Sequence, residues 1–408
     1  MNKSPRVLMS TLGRSHFIIA ADNIVKEGAD LTLLQGWVPK SEKSILVRLA
    51  ASIIKRKSFV PGLMKRAPLS LKGRIISMPF PEVVQTFLVL TVGRLGRVFY
   101  HLSVRFSFWL HGLLTRRFLS GYDIYHVKSG LGRGGAIKAA HKLGMKILVD
   151  HCVPHPKAMQ RSTGDKGYDE WWSYWRGVME DCAEADMIMV GSQYVKETFL
   201  EFGYSPNKIK VVELGVLSMF NKIKETYDKT GPLKLIYTGM WAHHKGVHDL
   251  VDAVEILVRR NVAVELTVLG SYSENDSGYI KAQALHLPIS FLGHIVQDDL
   301  RKHLANSDVY VFPSLRDGFA VSAFEGMSAG LCLITTKESS IPIRDGETGF
   351  YVPIHAPSAI ADKIEYLNTN RDVIEKIGKQ SAEVVEKDFT WENYAKKVHA
   401  VYEELLRR

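Results

Sequence analysis

The sequence predicts an α/β protein built from two doubly wound domains that face a central cleft. Its 408 residues exceed what one hydrophobic core usually supports and suit two domains of roughly 200 residues each. Short apolar segments alternate with helical ones in both halves, which is the pattern of parallel β-α-β units. The polar, charged stretch Asn221–Gly231 separates the halves and is typical of an interdomain linker.

The strands are predicted from short runs rich in Val, Ile, Leu and Tyr. In the first half they are Arg6–Ser10, Leu31–Gln35, Tyr122–Val127, Lys146–Asp150, Asp186–Val190 and Ile209–Glu213. In the second half they are Leu233–Thr238, Val264–Leu269, Ile289–Leu292, Val309–Val311 and Leu331–Thr335. In such domains ligands bind at the carboxyl ends of the strands, where loops and helix starts meet. We therefore expect the site in the cleft.

The charge of the chain is unevenly distributed. Residues 1–150 contain 24 Lys and Arg against 7 Asp and Glu, so this part carries a formal charge of +17, whereas the whole chain carries +10. The remainder is therefore slightly acidic. A basic first half indicates an anionic partner, and anionic lipid headgroups, a phosphorylated acceptor and nucleic acid are the candidates.

Residues 83–113 are markedly apolar but contain no run of the ~20 apolar residues that a membrane-spanning helix needs. Two sets of residues recur there at spacings of three and four. The apolar set is Phe99, Leu102, Phe106, Trp109 and Leu113, and the basic set is Arg94, Arg97, His101 and Arg105. Two interpretations fit this amphipathic pattern. The helix lies in a membrane interface, or it packs on its own domain with its arginines exposed.

The cysteines and the first residues bear on the compartment. Cys152, Cys182 and Cys332 lack the spacing of a zinc site or of a disulfide framework, and a reducing compartment fits them best. The segment Met1–Ser10 lacks the apolar run of a signal peptide. We expect a cytoplasmic protein without a metal site.

The most informative segment is Phe312–Gly330, with the sequence FPSLRDGFAVSAFEGMSAG. It predicts a strand end, a loop at Asp317–Phe319 and a helix that places Glu325 in its first turn. Glycine lets backbone amides approach a ligand closely, and a helix N-terminus attracts phosphate. Carboxylates at these positions can accept hydrogen bonds from sugar hydroxyls. Ordinary acidic residues at a helix N-terminus also fit.

This segment resembles the E-x7-E signature of family 4 retaining glycosyltransferases, usually written Pro-Ser, then Glu-Gly-Phe-Gly, then Glu-Ala-Met-Ala-x-Gly. The resemblance implies that Glu325 holds the ribose hydroxyls of a nucleotide and that Asp317 holds a hydroxyl of the donor sugar. It also implies that the backbone at Gly318, Phe319 and Ala320 contacts the sugar or the diphosphate.

Three residues depart from the signature. Asp317 replaces the first Glu, Ala320 replaces the second Gly, and Gly326 replaces the usual Ala. Aspartate keeps the acceptor chemistry of glutamate but is one methylene shorter. The departures therefore concern which sugar is held.

A second segment, Leu235–Ala253 (LIYTGMWAHHKGVHDLVDA), is similar to the family's strand, glycine, basic loop and Lys-Gly helix start. The likeness implies that Gly239 lies beside the donor and that Lys245 neutralises its diphosphate, which suits an ammonium group. Relatives commonly carry an arginine where this chain has Met240 or His244. Either His244 acts partly protonated, with a pKa near neutrality, or another residue supplies that charge.

The likeness extends from about Ser192 to the C-terminus and implies the GT-B fold, in which two Rossmann-like domains face a cleft. We assign residues 1–220 to an N-terminal acceptor-binding domain and residues 221–385 to a C-terminal domain that binds the nucleotide sugar. The family pattern implies that residues 386–408 form a helix that returns to the N-terminal domain.

The first half offers weaker candidates. Gly13 follows the first strand, where a short loop would face the donor across the cleft. His151 lies where relatives often place a cleft histidine that contacts the donor sugar, and we include it among the predicted catalytic residues with Asp317 and Lys245. The alternative is that Asp150 and His151 are an ordinary capping residue and loop residue.

The segment Gly130–Gly135 fits G-x-G-x-x-G between a strand and a helix, with Asp150 about 20 residues on. This is the fingerprint of a dinucleotide site and provides the alternative of an NAD-dependent oxidoreductase. The same loop equally offers the amides near Gly132, with Arg133 beside them, to an acceptor phosphate.

The sequence therefore predicts a retaining transferase that moves a sugar from a nucleotide-diphosphate sugar to a hydroxyl of a glycan or a lipid-linked acceptor. No cofactor is expected. An anionic membrane surface is a possible partner of the basic half, whereas nucleic acid is not expected because no recognition motif accompanies the basic region. The chain contains no D-x-D motif, so a metal-dependent, single-domain glycosyltransferase is not favoured. A non-catalytic relative that binds sugar nucleotides stays an alternative.

Overall fold

The computed structural model describes residues 4–13, 16–39 and 66–408, together with residues 41, 42, 44, 47, 48, 63 and 64. Across these residues, thirteen strands form two parallel sheets. The first sheet contains β1 (Arg6–Ser10), β2 (Asp30–Gln35), β3 (Ile75–Ser77), β4 (Ile124–Lys128), β5 (Lys146–His151), β6 (Met187–Val190) and β7 (Ile209–Val211). The second contains β8 (Leu233–Thr238), β9 (Val264–Leu269), β10 (Ile289–Gly293), β11 (Val309–Phe312), β12 (Cys332–Thr335) and β13 (Phe350–Tyr351).

Fourteen α-helices accompany these strands in the described part of the chain. Those between β1 and β7 are α1 (Phe17–Lys26), α2 (Pro79–Leu90), α3 (Arg97–Thr115), α4 (Ala136–Lys142), α5 (Pro156–Thr163), α6 (Tyr174–Glu184) and α7 (Gln193–Glu201). Those after β8 are α8 (Val247–Arg259), α9 (Ser277–Ala284), α10 (Gln297–Ala305), α11 (Val321–Ala329), α12 (Pro357–Thr369), α13 (Arg371–Asp388) and α14 (Trp391–Arg407). We call the first sheet with its helices the first lobe and the second sheet with its helices the second lobe.

Both sheets have doubly wound topology. The strand order is β3-β2-β1-β4-β5-β6-β7 in the first lobe and β10-β9-β8-β11-β12-β13 in the second. The chain therefore reverses its direction of travel between β1 and β4, and again between β8 and β11. Ligands of open α/β sheets bind at such a switch point, outside the carboxyl ends of the two strands.

The strands are nearly continuous apolar runs because both faces of a parallel sheet are covered. Every residue of β6 and of β11 is buried. Successive side chains of β1 enter opposite cores: Val7 and Met9 join one apolar cluster, whereas Leu8 joins another. This alternation decides which strand-end residues face the cleft.

The last helix belongs to the first lobe. Tyr402 and Leu405 of α14 are buried in the same cluster as Phe17 of α1, and the Tyr402 hydroxyl lies 2.7 Å from Nδ1 of the buried His126. The chain thus crosses between the lobes twice, once before β8 and once before α14.

Helices α2 and α3, joined by a short 3₁₀ segment at Val92–Leu95, form an antiparallel pair that we call the α2–α3 hairpin (Pro79–Thr115). Its apolar face is not covered by the described residues of the lobe: Phe87 is 64% exposed and Leu95 is 72% exposed. Among the described residues, no helix is both long enough and apolar enough to cross a bilayer.

Candidate functional site

The switch point of the second sheet brings together the predicted donor residues. Lys245 lies in the loop after β8, and Asp317 lies in the loop after the neighbouring strand β11. Their side chains form an ion pair, and the Lys245 ammonium also lies 5.3 Å from the centroid of the Phe312 ring. The two catalytic candidates of this lobe, 72 residues apart in sequence, are therefore neighbours.

Backbone contacts hold the two loops together. The amide of Leu315 donates to the carbonyl of His244 at 3.0 Å. A Cβ atom at Gly246 would lie 1.8 Å from the carbonyl oxygen of Pro313, so this position needs glycine. In the pair Lys245-Gly246, the lysine thus supplies charge and the glycine permits the close approach of the loops.

Gly318 brings the donor loop against the first lobe. A Cβ atom there would lie 1.3 Å from the carbonyl oxygen of Cys152. Gly318 and Phe319 line a cavity of 20 Å³ between the lobes, together with Cys152 and Tyr394. Because that volume suits about one water molecule, the lobes meet closely at this point.

Glu325 is the fifth residue of α11, so it lies one turn further along the helix than we predicted. The carboxylate is half-buried, and within the described residues no hydrogen bond or ion pair to it is found. Burial raises the pKa of Glu325 to about 7. A partly desolvated carboxylate with unused acceptor capacity is suited to hydroxyl donors.

The remaining predicted donor residues lie around the same strand ends. Gly239 directly follows β8 and adopts φ 141°, and its amide donates to the carbonyl of Leu269 at 2.8 Å. Ala320 is buried and directly precedes α11. The Phe319 ring stacks on that of Phe324, with 4.4 Å between the centroids. Met240, where relatives carry arginine, is 52% exposed.

The idea that His244 supplies positive charge is wrong for this state of the molecule. Burial, followed by the nearby charges of Arg316 and Lys245, lowers the pKa of His244 to about 4. The imidazole is therefore neutral at physiological pH.

Arg316 is the cation that the sequence reasoning missed, although it directly precedes Asp317. Its guanidinium carbon lies 5.8 Å from the centroid of the Tyr168 ring, and Nη1 lies 3.2 Å from Sδ of Met159. Its Nε atom is buried without a hydrogen-bond partner, and no carboxylate of the described residues forms an ion pair with it. Arg316 thus places between the lobes a positive charge that has no counterion in the described part of the chain.

His151 does not reach the cleft, contrary to our prediction. It is the last residue of β5, and the alternation of the strand directs its side chain into the core, where its exposure is 0%. Nδ1 lies 3.0 Å from the Ser129 hydroxyl, and the ring packs against Phe199. Burial lowers the pKa of His151 to about 4.

The preceding residue, Asp150, lines the cavity between the lobes instead. Its Oδ2 lies 3.6 Å from Nε2 of His16 and 3.7 Å from Nε2 of His126. Burial favours the neutral acid, but the nearby rings of His126 and His16 outweigh it and hold the pKa of Asp150 well below its usual range. His16, Asp150 and Cys152 have side-chain ligand atoms within 4.8 Å of one another, which is close enough to hold a cation jointly.

Gly13 adopts φ 71° after β1, at the switch point of the first sheet. A Cβ atom on the neighbouring Gly36 would lie 2.2 Å from Oε2 of Glu82 and 3.2 Å from the amide nitrogen of Gly13. Glu82 pairs with Arg66 at 2.8 Å. The Gly13 loop therefore lies next to the ion pair of Arg66 with Glu82.

The Gly130–Gly135 loop cannot hold a phosphate as predicted, because a side chain already occupies it. The amides of Gly130 and Gly132 donate to Oδ2 of the buried Asp181 at 2.7 and 2.8 Å. Burial raises the pKa of that carboxyl to about 7. Arg133 forms an ion pair with Glu180.

Helix α3 closes the same loop from the outside. A Cβ atom at Gly130 would lie 2.7 Å from the Phe108 ring, and one at Gly134 would lie 2.3 Å from the Trp109 carbonyl oxygen. These glycines therefore serve helix packing. The structure removes the basis for both the oxidoreductase alternative and the acceptor-phosphate role of Gly132 and Arg133.

Comparison with known proteins matches residues 232–370 to the family of group 1 glycosyl transferases, and this segment contains Lys245, Asp317 and Glu325. The capsular polysaccharide biosynthesis glycosyltransferase CapM of Staphylococcus aureus is 29% identical over 220 residues, which are 52% of this chain and 56% of CapM. The chain thus spans just over half the length of this relative.

Solved structures match the chain over almost its full length. Sucrose-phosphate synthase of Thermosynechococcus elongatus has a TM-score of 0.67 at 16% identity, over 99% of this chain and 100% of that one. Anabaena HepE in complex with UDP and glucose has a TM-score of 0.65 at 13% identity, over 98% and 100%. Together with the two doubly wound sheets, these neighbours confirm the predicted GT-B fold.

Proposed function

We propose that this chain, whose second lobe matches the group 1 glycosyl transferases, is a retaining glycosyltransferase that uses a nucleotide-diphosphate sugar. The observation that carries the proposal is the ion pair of Lys245 with Asp317 at the switch point between β8 and β11, with Glu325 in the helix that follows the Asp317 loop. All three lie inside the matched segment and at the place where a doubly wound sheet binds nucleotides.

Each residue has a role that its surroundings support. Glu325 accepts hydrogen bonds from the ribose hydroxyls, since its half-buried carboxylate has no partner in the described part of the chain. Lys245 stabilises the charge that develops on the leaving diphosphate. Asp317, which Lys245 pairs with here, is then left to hold a hydroxyl of the donor sugar.

We further propose that Arg316 supplies the charge that relatives obtain from arginine at the positions of Met240 or His244. A guanidinium with no counterion in the described residues suits an anion. Arg316 directly follows Leu315, whose amide donates to the carbonyl of His244 in the neighbouring loop. The anion that we propose for Arg316 is a phosphate group, which belongs either to the donor or to an acceptor that enters from the first lobe.

The acceptor is proposed to be a hydroxyl of a cell-surface glycan or of a lipid-linked precursor, handled at the cytoplasmic face of an anionic membrane. The support is the +17 formal charge of residues 1–150. No side-chain nucleophile is needed if the leaving phosphate assists attack on the same face of the sugar, and closure of the lobes limits hydrolysis of the donor.

The test is a panel of UDP- and GDP-sugars assayed by thermal shift and by donor hydrolysis, on the wild-type chain and on Glu325→Gln. We expect one class of sugar nucleotide to raise the melting temperature of the wild type and to be hydrolysed slowly, with both effects reduced in the variant. Binding without any turnover or transfer would instead identify a non-catalytic sugar-nucleotide-binding protein. Absence of binding by every nucleotide would refute the proposal.

A further inference from the structure

The α2–α3 hairpin (Pro79–Thr115) has its apolar residues on the outside. Eleven large apolar side chains between residues 80 and 109 are exposed: Phe80, Val83, Phe87, Leu90, Val92, Leu95, Val98, Phe99, Tyr100, Phe106 and Trp109. Of the twelve residues of α2, Pro81 is the one whose side chain is buried. Concentrated exposure of this kind marks an interaction surface.

Helix α3 shows that the exposure follows from the sequence pattern. Its buried side is largely polar or small and consists of His101, Ser103, Val104, Ser107, His111, Gly112 and Thr115. The opposite side carries Phe106 and Trp109, whose rings lie 5.9 Å apart, and both are more than 40% exposed. A helix that only packed on its own lobe would have the reverse arrangement.

The charge of this region identifies the partner. Residues 83–122 contain five arginines and no Asp or Glu. Arg94, Arg116 and Arg117 are exposed, and the last two line a groove with Lys142 and with Leu113, a residue of α3. A second copy of the chain would bring the same positive charges face to face in a symmetric contact. Anionic lipid headgroups, by contrast, complement them.

We propose that the α2–α3 hairpin docks on an anionic lipid bilayer, with its aromatic and aliphatic side chains in the interface and its arginines on the headgroups. The hairpin lies on the membrane and does not span it, since α2 has 12 residues and α3 has 19 and both carry polar residues. Trp171, which is 63% exposed, extends the surface, because Arg105 donates to its carbonyl.

This docking is independent of the proposed transfer reaction, because the hairpin belongs to the first lobe and the donor residues to the second. The experiment is sedimentation of the full chain with vesicles of phosphatidylcholine alone and of phosphatidylcholine with phosphatidylglycerol, at low and high salt. We expect binding to the anionic vesicles that weakens with salt. Phe87→Ser with Leu95→Ser should reduce it at least 10-fold, and Arg94→Gln with Arg117→Gln should remove the preference for anionic lipid.

The matched control is Ile280→Ser with Leu285→Ser, which replaces two similarly exposed apolar residues of the second lobe, one in α9 and one directly after it, and should bind like the wild type. Circular dichroism melting verifies that the variants are folded. The proposal is overturned if the wild type binds no vesicle, or if the hairpin variant binds as well as the control. It is equally overturned if the wild type avoids vesicles and light scattering shows a dimer that the hairpin variant dissociates.

Discussion

Each lobe contains glycine-bearing loops between strands and helices at its switch point, but the polar groups there are used differently in the two lobes. In the first lobe, the amides of Gly130 and Gly132 bind the buried carboxylate of Asp181. In the second lobe, the carboxylate of Glu325 has no partner in the described residues, and Lys245 pairs with Asp317 at the cleft. The amides of the first-lobe loop are thus satisfied internally, whereas the polar groups of the second lobe have capacity for a ligand. The spacing of glycines in the sequence does not distinguish an internally satisfied loop from a ligand-binding one. The hydrogen-bond and ion-pair partners of the polar groups do distinguish them.

The largest expected effect comes from removing Lys245, the cation in the loop after β8 of the second lobe. Lys245→Gln should lower sugar transfer about 100- to 1000-fold, because a preorganised charge at the leaving group contributes that much to the rate. Lys245→Arg, which keeps the charge but not the shape, should retain more activity. Initial rates at saturating donor measure the effect. Equal rates for wild type and Lys245→Gln would contradict the assignment of the donor site to the switch point of the second lobe.

Removing Asp181, whose carboxylate binds the amides of the first-lobe loop, should lower the free energy of unfolding and leave donor binding unchanged. Asp181→Ala leaves two buried amides without an acceptor, and each such group costs about 1–3 kcal/mol. Asp181→Asn keeps an acceptor oxygen and should cost less. Urea unfolding, with tryptophan fluorescence as the probe, measures the loss. If the variant folds normally but no longer binds nucleotide, the ligand is held by the Gly130–Gly135 loop and our placement of the donor site in the second lobe is wrong.

Glu325 should make donor affinity depend on pH. Its pKa of about 7 exceeds the ordinary value because burial disfavours the charge, and hydroxyl donors favour the ionised form. A ligand that selects the carboxylate binds more tightly as pH rises through 7 and levels off above it. Calorimetric titration with a UDP- or GDP-sugar between pH 6 and 8 tests this.

Glu325→Gln is the control for that titration. We expect it to weaken donor binding by about 1.5–3 kcal/mol, as for hydrogen bonds to charged groups, and to flatten the pH profile. His244, with a pKa of about 4, does not titrate in this range. A pH dependence that persists unchanged in the glutamine variant would show that another group is responsible.

The smallest effect is expected from Arg316, which lies between the two lobes. Arg316→Ala should weaken phosphate-dependent binding about 10-fold. Arg316→Lys should recover part of that loss, since it keeps the charge but not the planar contact with Tyr168. Comparing the KM for donor with the KM for acceptor tells which phosphate is held. No change in either constant would remove Arg316 from the cleft chemistry.

The sequence predicted the parts of this molecule that depend on local pattern. The alternation of strands and helices gave the two sheets, and Lys245 and Asp317 meet because they follow adjacent parallel strands. What it missed depends on distant contacts. The interpretation of Gly132 was wrong because Asp181, 49 residues away, fills the loop.

The prediction that His151 faces the cleft was wrong because the sequence does not show which face of the sheet a strand residue occupies. Consecutive strand residues point to opposite faces, so Asp150 or His151 reaches the cleft, and the sequence alone does not tell which. Arg316 was overlooked although it adjoins the motif. A search for any cation near the loop, instead of one at the two expected positions, would have found it.

The return of α14 to the first lobe has a consequence for synthesis. Tyr402 and Leu405 complete the core that begins with Val7 and Phe17, so the first lobe cannot finish folding until α14 has left the ribosome. The second lobe, by contrast, is complete in sequence by the end of α13. Domains generally fold in order from the N-terminus. Here the second lobe should complete its folding first, and the first lobe, although it is synthesised first, should complete its folding last.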